Sequence, residues 1–206
     1  MNKPKVFCVG LNKTGTTSLE KEMLRLDYVV GDEMKGKALI DPWAHRDFRP
    51  IIRLCRTAQF FQDAPFSWPY TFVALDQAFP GSKFMLTVRD SEEAWYHSLI
   101  RFLGQKWGNG KVPPDAEDLK AAPGPYPGFR FHVHMMLQQV PESDLFNKDV
   151  LLDFYRTHNN LVRDYFRHRP SDLLVLNVKR DRDYVRFCEF LGVVQDRAGF
   201  PWENKT

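Results

Sequence analysis

The sequence predicts an α/β fold with a doubly wound, mainly parallel sheet and helices on both of its faces. Short β-prone runs alternate with segments of helical periodicity along most of the 206 residues. Two of these runs, 83–88 and 172–178, are almost continuously apolar, which is typical of strands buried on both faces of a parallel sheet. When a helix connects two parallel strands of one sheet, the crossover is right-handed.

The predicted elements form three β–α pairs, an insertion, and then a helix, a strand and a helix. Glycine and proline mark the ends of several elements, because both residues interrupt regular structure. The predicted strands cover 6–9, 59–65, 83–88 and 172–178; the predicted helices cover 18–26, 72–79, 150–167 and 184–191, with another after 83–88 that Asp90 or Ser91 can cap.

The insertion at 104–128 interrupts this alternation. It is rich in glycine, proline, lysine and aspartate and has few apolar anchors. Such a composition is typical of a long excursion from the fold, and excursions often contact substrates. We therefore predict a single domain over 1–206 with a lid or substrate-binding excursion at 104–128.

Composition excludes several function classes. A net charge of +3 is too small and too dispersed for a protein that binds duplex nucleic acid. Cys8, Cys55 and Cys188 are far apart, which argues against a disulfide framework and a zinc site. No apolar stretch approaches the length of a membrane span, and the run at 6–9 is far too short for the core of a signal peptide. These features predict a cytoplasmic protein.

The loop between the first predicted strand and helix has the composition of a phosphate-binding loop. Its glycines and small hydroxyl residues let backbone N–H groups converge on an anion at the helix N-terminus. In the Walker A pattern of NTPases a lysine directly follows the second glycine, but here Thr16 follows Gly15 and the lysine, Lys13, precedes it. The alternative is a simple strand-to-helix turn with an exposed lysine. The loop consists of Gly10, Leu11, Asn12, Lys13, Thr14, Gly15, Thr16, Thr17 and Ser18.

The segment 13–19, Lys-Thr-Gly-Thr-Thr-Ser-Leu, resembles the 5′-phosphosulfate loop of sulfotransferases that use 3′-phosphoadenosine 5′-phosphosulfate (PAPS). That loop is commonly Pro-Lys-Ser-Gly-Thr-Thr-x-Leu, and Asn12 stands where its proline is usual. The resemblance implies a P-loop fold of the sulfotransferase type and transfer of a sulfuryl group from PAPS to a hydroxyl or amine of an acceptor. Lys13 would neutralise charge on the bridging oxygen as the leaving phosphate departs. The 5′-phosphate would be cradled by Thr14, Gly15, Thr16, Thr17 and Ser18.

The segment 86–98 resembles the family's second donor-binding element, in which an arginine at the end of a buried strand and a serine on the next helix hold the 3′-phosphate. Arg89 follows the third strand, and its planar guanidinium suits phosphate oxygens. Ser98 is the expected serine, because the preceding Trp95-Tyr96 matches the family's aromatic residues. The interval from Arg89 to Ser98 is one residue longer than usual, and His97 stands at the usual spacing. A surface ion pair is the alternative role for Arg89.

The segment 62–65 occupies the place of a His-x-Pro segment in the cytosolic branch of the family, where the histidine is the catalytic base. Asp63 would replace that histidine and accept the proton of the attacking group. An ordinary aspartate has a pKa of about 3.9, so burial would have to raise the pKa of Asp63. The alternative is that Asp63 caps the following helix.

No metal cofactor is expected. A transferring sulfuryl group carries less negative charge than a phosphoryl group, and His132 and His134 lack a third ligand at a recognised spacing. The acceptor would be a small molecule or a glycan whose identity depends on 32–56 and 104–128. Two other functions stay open: a P-loop kinase or NTPase, disfavoured by the displaced lysine, and a nucleotide-binding protein without catalysis.

Overall fold

The computed structural model describes residues 3–201, in which strands and helices alternate as the sequence predicts. The strands are β1 (Val6–Cys8), β2 (Phe60–Phe61), β3 (Lys83–Thr87) and β4 (Leu173–Leu176). The α-helices are α1 (Thr16–Arg25), α2 (Glu33–Lys37), α3 (Ile40–Ala44), α4 (Arg49–Leu54), α5 (Thr71–Ala78), α6 (Glu92–Trp107), α7 (Ala116–Ala121), α8 (Phe129–Val133), α9 (Lys148–Tyr165) and α10 (Asp181–Leu191). None of the helices within 3–201 is long and apolar enough to cross a membrane.

The sheet is parallel, with its strands in the order β2–β1–β3–β4. From β1 the chain moves to β2 on one side and then crosses back to β3 on the other. Right-handed connections that run in opposite directions place helices on both faces of the sheet. The predicted doubly wound α/β fold is therefore confirmed, and the carboxyl ends of β1 and β3 form its topological switch point.

Alternate residues of the strands face two different cores. On one face, Val6 and Met85 pack with Leu19 and Met23 of α1 and with Phe187 of α10. The opposite face is aromatic: the ring of Phe7 has its centroid 5.5 to 5.9 Å from those of three other phenylalanines. These three are Phe61, Phe79 and Phe84. The packing of α1 holds its first turn at the carboxyl end of β1.

The chain forms two compact units. Within the described residues, the first contains 3–89 and 159–201 and includes the whole sheet. The second contains 90–158. The single domain over 1–206 stays a prediction, and both of its ends lie outside the described residues.

The predicted excursion at 104–128 belongs to the second unit and contains more regular structure than its composition indicates. A capping box starts α7: the Asp115 side chain accepts from the backbone of Asp118, and the Asp118 side chain accepts from that of Asp115. Leu119 is buried and anchors this short helix. The lid or substrate-binding role of the segment stays a prediction.

The segment 32–56 contains three short α-helices that the sequence pattern did not predict. Helices of five or six residues are too short to show hydrophobic periodicity. Local signals do explain them, since the Asp32 side chain accepts a 3.0 Å hydrogen bond from the Lys35 N–H at the start of α2, and Pro50 lies in the first turn of α4.

Candidate active site

The loop after β1 contains two residues with left-handed backbone conformation before α1 begins. The φ angle is 66° at Lys13 and 100° at Gly15. A positive φ is uncommon outside glycine, so the backbone of Lys13 is strained. No side chain caps the N-terminus of α1. The first turn of this helix consists of Thr16, Thr17 and Ser18 and carries no acidic residue. The first-turn amides have no carbonyl partner within the helix, which suits the binding of an anion.

Gly10 and Gly15 allow other segments to approach the loop closely. A Cβ atom on Gly10 would lie 2.5 Å from the carbonyl oxygen and 2.6 Å from the nitrogen of Thr87 in β3. A Cβ atom on Gly15 would overlap Cγ2 of Val178, which follows β4. The ends of β3 and β4 therefore pack directly against the loop, and both glycines are needed for this packing.

A chain of buried hydroxyl groups fastens the loop to the sheet. The Thr14 hydroxyl donates to the carbonyl oxygen of Leu11 at 2.5 Å, and its Oγ1 lies 2.6 Å from Oγ1 of Thr87. Since the single hydroxyl proton of Thr14 is used on Leu11, Thr87 must donate to Thr14. The Cys8 Sγ lies 3.7 Å from the Thr87 hydroxyl. The Thr14 side chain thus points into the protein, and its contribution to the predicted phosphate cradle would come from its backbone N–H.

Arg89 contacts the loop directly. Its Nε donates to the carbonyl oxygen of Lys13 at 2.5 Å, and both residues belong to the first unit. The side chain of Arg89 is partly buried where β3 ends. The structure therefore brings together the two residues that the sequence assigns to the two phosphates of the donor.

Ser91 and Ser98 have different positions on α6. Ser91 is the N-cap, because its Oγ accepts a 3.1 Å hydrogen bond from the Ala94 N–H. Ser98 lies further along α6, within the second unit, and is buried. His97 is exposed and lies 3.8 Å from Glu93. The binding of the 3′-phosphate by Ser98 stays a prediction.

Asp63 lies two residues after the end of β2 and has a positive φ of 58°. Its Oδ2 lies 3.8 Å from Nζ of Lys37, which also pairs with Glu33. Burial raises the pKa of the Asp63 carboxyl above its ordinary value; the Lys37 ammonium opposes the rise and the Glu33 carboxylate adds to it. The alternative that Asp63 caps the following helix is wrong, because that helix, α5, begins at Thr71 and has Tyr70 as its N-cap. The direction in which burial shifts the pKa of Asp63 is the one that a base requires.

Two polar residues near Asp63 were not predicted. Glu20 lies on α1, and its Oε2 accepts a 2.7 Å hydrogen bond from Nε2 of Gln62. Burial raises the pKa of the Glu20 carboxyl, and the hydrogen bond from Gln62 opposes that rise. The available sequence signal was the spacing of Glu20, which stands four residues after Thr16 and so lies on the same side of the helix.

Within 3–201, no group of three or more histidine, cysteine, aspartate and glutamate side chains is arranged to hold a metal ion. The buried His134 has Nε2 2.5 Å from the carbonyl oxygen of Leu145, and Nδ1 of His132 lies 2.5 Å from the Tyr126 hydroxyl. Both histidines therefore have protein partners.

Comparison with known proteins covers almost the whole chain. A family profile described as a sulfotransferase domain matches residues 5–206. No curated protein matches the chain significantly. The matched region includes the loop after β1, the arginine after β3 and the aspartate after β2.

Proposed function

The chain belongs to the sulfotransferase family, and we propose that it uses PAPS as donor and transfers the sulfuryl group to a hydroxyl or amine of a small-molecule or glycan acceptor. The observation that carries this proposal is the 2.5 Å hydrogen bond from Arg89 Nε to the carbonyl oxygen of Lys13. It joins the two predicted phosphate-binding segments at the switch point, where open α/β sheets bind their ligands.

The loop would bind the 5′-phosphosulfate. The first-turn amides of α1 and the positive end of its dipole favour an anion there. Sulfuryl transfer depends mainly on alignment and on stabilising the negative charge that develops on the leaving oxygen. Lys13 is the loop residue whose charge can serve that purpose, and the hydrogen bond from Arg89 restrains its backbone.

Arg89 would bind the 3′-phosphate while it supports the loop. A guanidinium has five N–H donors in a rigid fork, so one donor can hold the Lys13 carbonyl while others face a phosphate. A double function of this kind predicts that Arg89 influences both phosphate sites. The effect specific to the 3′-phosphate must then be measured as a difference between two nucleotides.

Asp63 would accept the proton of the acceptor. In the reaction, a bond forms between the acceptor atom and sulfur, the bond from sulfur to the bridging oxygen breaks, and the proton on the acceptor passes to the Asp63 carboxylate. The raised pKa of Asp63 makes it a better base than an exposed aspartate. The Lys37 ammonium, 3.8 Å away, opposes this rise in the pKa and so favours the ionised form of Asp63.

Turnover with matched donors tests the proposal. The full chain is incubated with PAPS and a panel of hydroxyl and amine acceptors, and the formation of 3′-phosphoadenosine 5′-phosphate (PAP) is followed by chromatography. A parallel reaction contains ATP and magnesium. We expect PAP that depends on the acceptor and no hydrolysis of ATP. Hydrolysis of ATP would instead favour a P-loop NTPase, and binding of PAP without transfer to any acceptor would favour a protein that binds nucleotide without catalysis.

A further inference from the structure

Three carboxylates and one ammonium group form a cluster next to the loop after β1. Lys37 is 8% exposed, pairs with Glu33 and lies 3.8 Å from Oδ2 of Asp63. The charges of these three residues all act on Glu20, one turn beyond the start of α1. We call Glu20, Glu33, Lys37 and Asp63 the acidic cluster. Its carboxylates outnumber its single cation.

The amide of Gln62 borders the acidic cluster and has an unused acceptor. The residue is 9% exposed, and its Oε1 has no hydrogen-bond partner anywhere in 3–201. Its Nε2 donates to Glu20, which fixes the amide against the cluster. A buried acceptor without a donor destabilises a protein, and a ligand that brings donors removes that penalty.

The acidic cluster is suited to a cation and not to the donor. An anionic phosphosulfate would be repelled by carboxylates, and the cluster does not have the geometry of a metal site within the described chain. The distance of 3.8 Å between Lys37 Nζ and Asp63 Oδ2 is longer than a hydrogen bond. Lys37 therefore partly neutralises the charge of Asp63 without a close contact. The Asp63 side chain is 26% exposed and Glu20 is half-buried, so both carboxylates are accessible from solvent.

We infer that the acceptor carries a protonated amino group, which Glu20 and the amide oxygen of Gln62 hold while Asp63 takes the proton of a neighbouring hydroxyl group. The inference rests on the proposed function and narrows the acceptor to an amino alcohol or an amino sugar. An ammonium group supplies both the positive charge that the Glu20 carboxylate attracts and the several N–H donors that the oxygen atoms of Glu20 and Gln62 can accept. The hydroxyl oxygen forms the new bond to sulfur, and the amino group keeps its protons.

Matched ligand pairs test this inference by calorimetry on the full chain, with and without PAP. The pairs are ethanolamine with ethylene glycol and D-glucosamine with D-glucose, whose members differ by one amino group in place of a hydroxyl. We expect the amine of at least one pair to bind about tenfold to a hundredfold more tightly than its partner, as a charge-assisted hydrogen bond provides. Equal affinities within both pairs would overturn the inference.

Two variants and a control connect the preference to the site. Glu20→Gln can still accept from Gln62 and should lose the preference for amines, whereas Glu189→Gln, on the exposed face of α10, should keep it. Gln62→Met removes the unpaired oxygen together with the donor to Glu20, so it should bind amines more weakly. An amine preference unchanged in Glu20→Gln and Gln62→Met would refute the assignment. A wild-type protein that prefers amines but fails to bind PAP would contradict the proposed function alone.

Discussion

Thr14→Val should destabilise the protein more than Thr87→Val. Valine keeps the shape of threonine and removes the hydroxyl group, so each change tests the hydrogen bonds alone. In Thr87→Val, the Thr14 hydroxyl still donates to Leu11, and the loss of the hydrogen bond to Thr14, with that of the weak contact to the Cys8 thiol, costs about 1 kcal/mol. In Thr14→Val, both the Leu11 carbonyl and the Thr87 hydroxyl lose this partner, which costs roughly 2 to 4 kcal/mol.

The two changes should also be coupled. The double variant no longer contains an unpaired Thr87 hydroxyl, so its cost should be smaller than the sum of the single costs by about 1 kcal/mol. The assay is urea denaturation of the wild type, both single variants and the double variant. Thr17→Val, at an exposed position in the first turn of α1, is the matched control. Equal costs for Thr14→Val and Thr87→Val, or strict additivity, would refute the assigned direction of the hydrogen bonds.

Three further predictions concern catalysis and pH. Lys13→Gln should lower kcat more than donor affinity, because the charge of Lys13 acts mainly on the leaving oxygen. The control is Lys21→Gln, at an exposed position of α1. A change confined to KM would mean that Lys13 only helps to bind the donor. Asp63→Asn should lower the rate of transfer about a hundredfold or more. The variant should fold and keep its affinity for PAP, since asparagine tolerates a positive φ. A large fall in melting temperature with a small loss of rate would assign Asp63 a structural role. Burial lowers the pKa of His134 from 6.5 to about 4, so the unfolded chain binds that proton more tightly. The contribution of His134 to the free energy of unfolding should therefore be fully present above about pH 6.5 and should fall by roughly 3 kcal/mol as the pH drops to about 4. Urea titrations in which the free energy of unfolding of His134→Gln depends on pH as steeply as that of the wild type would contradict this.

Much of the loop was predictable because its determinants are local. A β-prone run, two glycines and a helical period stand next to one another at 6–26, so sequence spacing alone indicates the strand, loop and helix. The position of Arg89 was predictable for the same reason, since it directly follows an apolar strand. Their mutual contact was not, because the hydrogen bond from Arg89 to Lys13 joins residues 76 positions apart.

The surroundings of Asp63 show where sequence reasoning stops. Its place after β2 follows from the strand pattern, but Lys37 comes from a five-residue helix that leaves no periodic signal. Glu20 lies on α1, 42 residues before Gln62, and nothing in its neighbours marks it as a partner of Gln62. The pKa of Asp63 depends on these distant groups and on burial. The sequence therefore indicates that a base at this position needs a raised pKa, but it does not predict that the pKa is raised.

The use of PAPS as donor is tested most directly by calorimetric titration of the wild type and Arg89→Ala with PAP and with adenosine 5′-phosphate. Only PAP has a 3′-phosphate, so the wild type should bind it about tenfold to a hundredfold more tightly than adenosine 5′-phosphate. Arg89→Ala also loses the hydrogen bond to Lys13 and should weaken both ligands, but the difference between them should disappear. Equal affinity of the wild type for the two nucleotides, or a difference that survives in Arg89→Ala, would contradict the account.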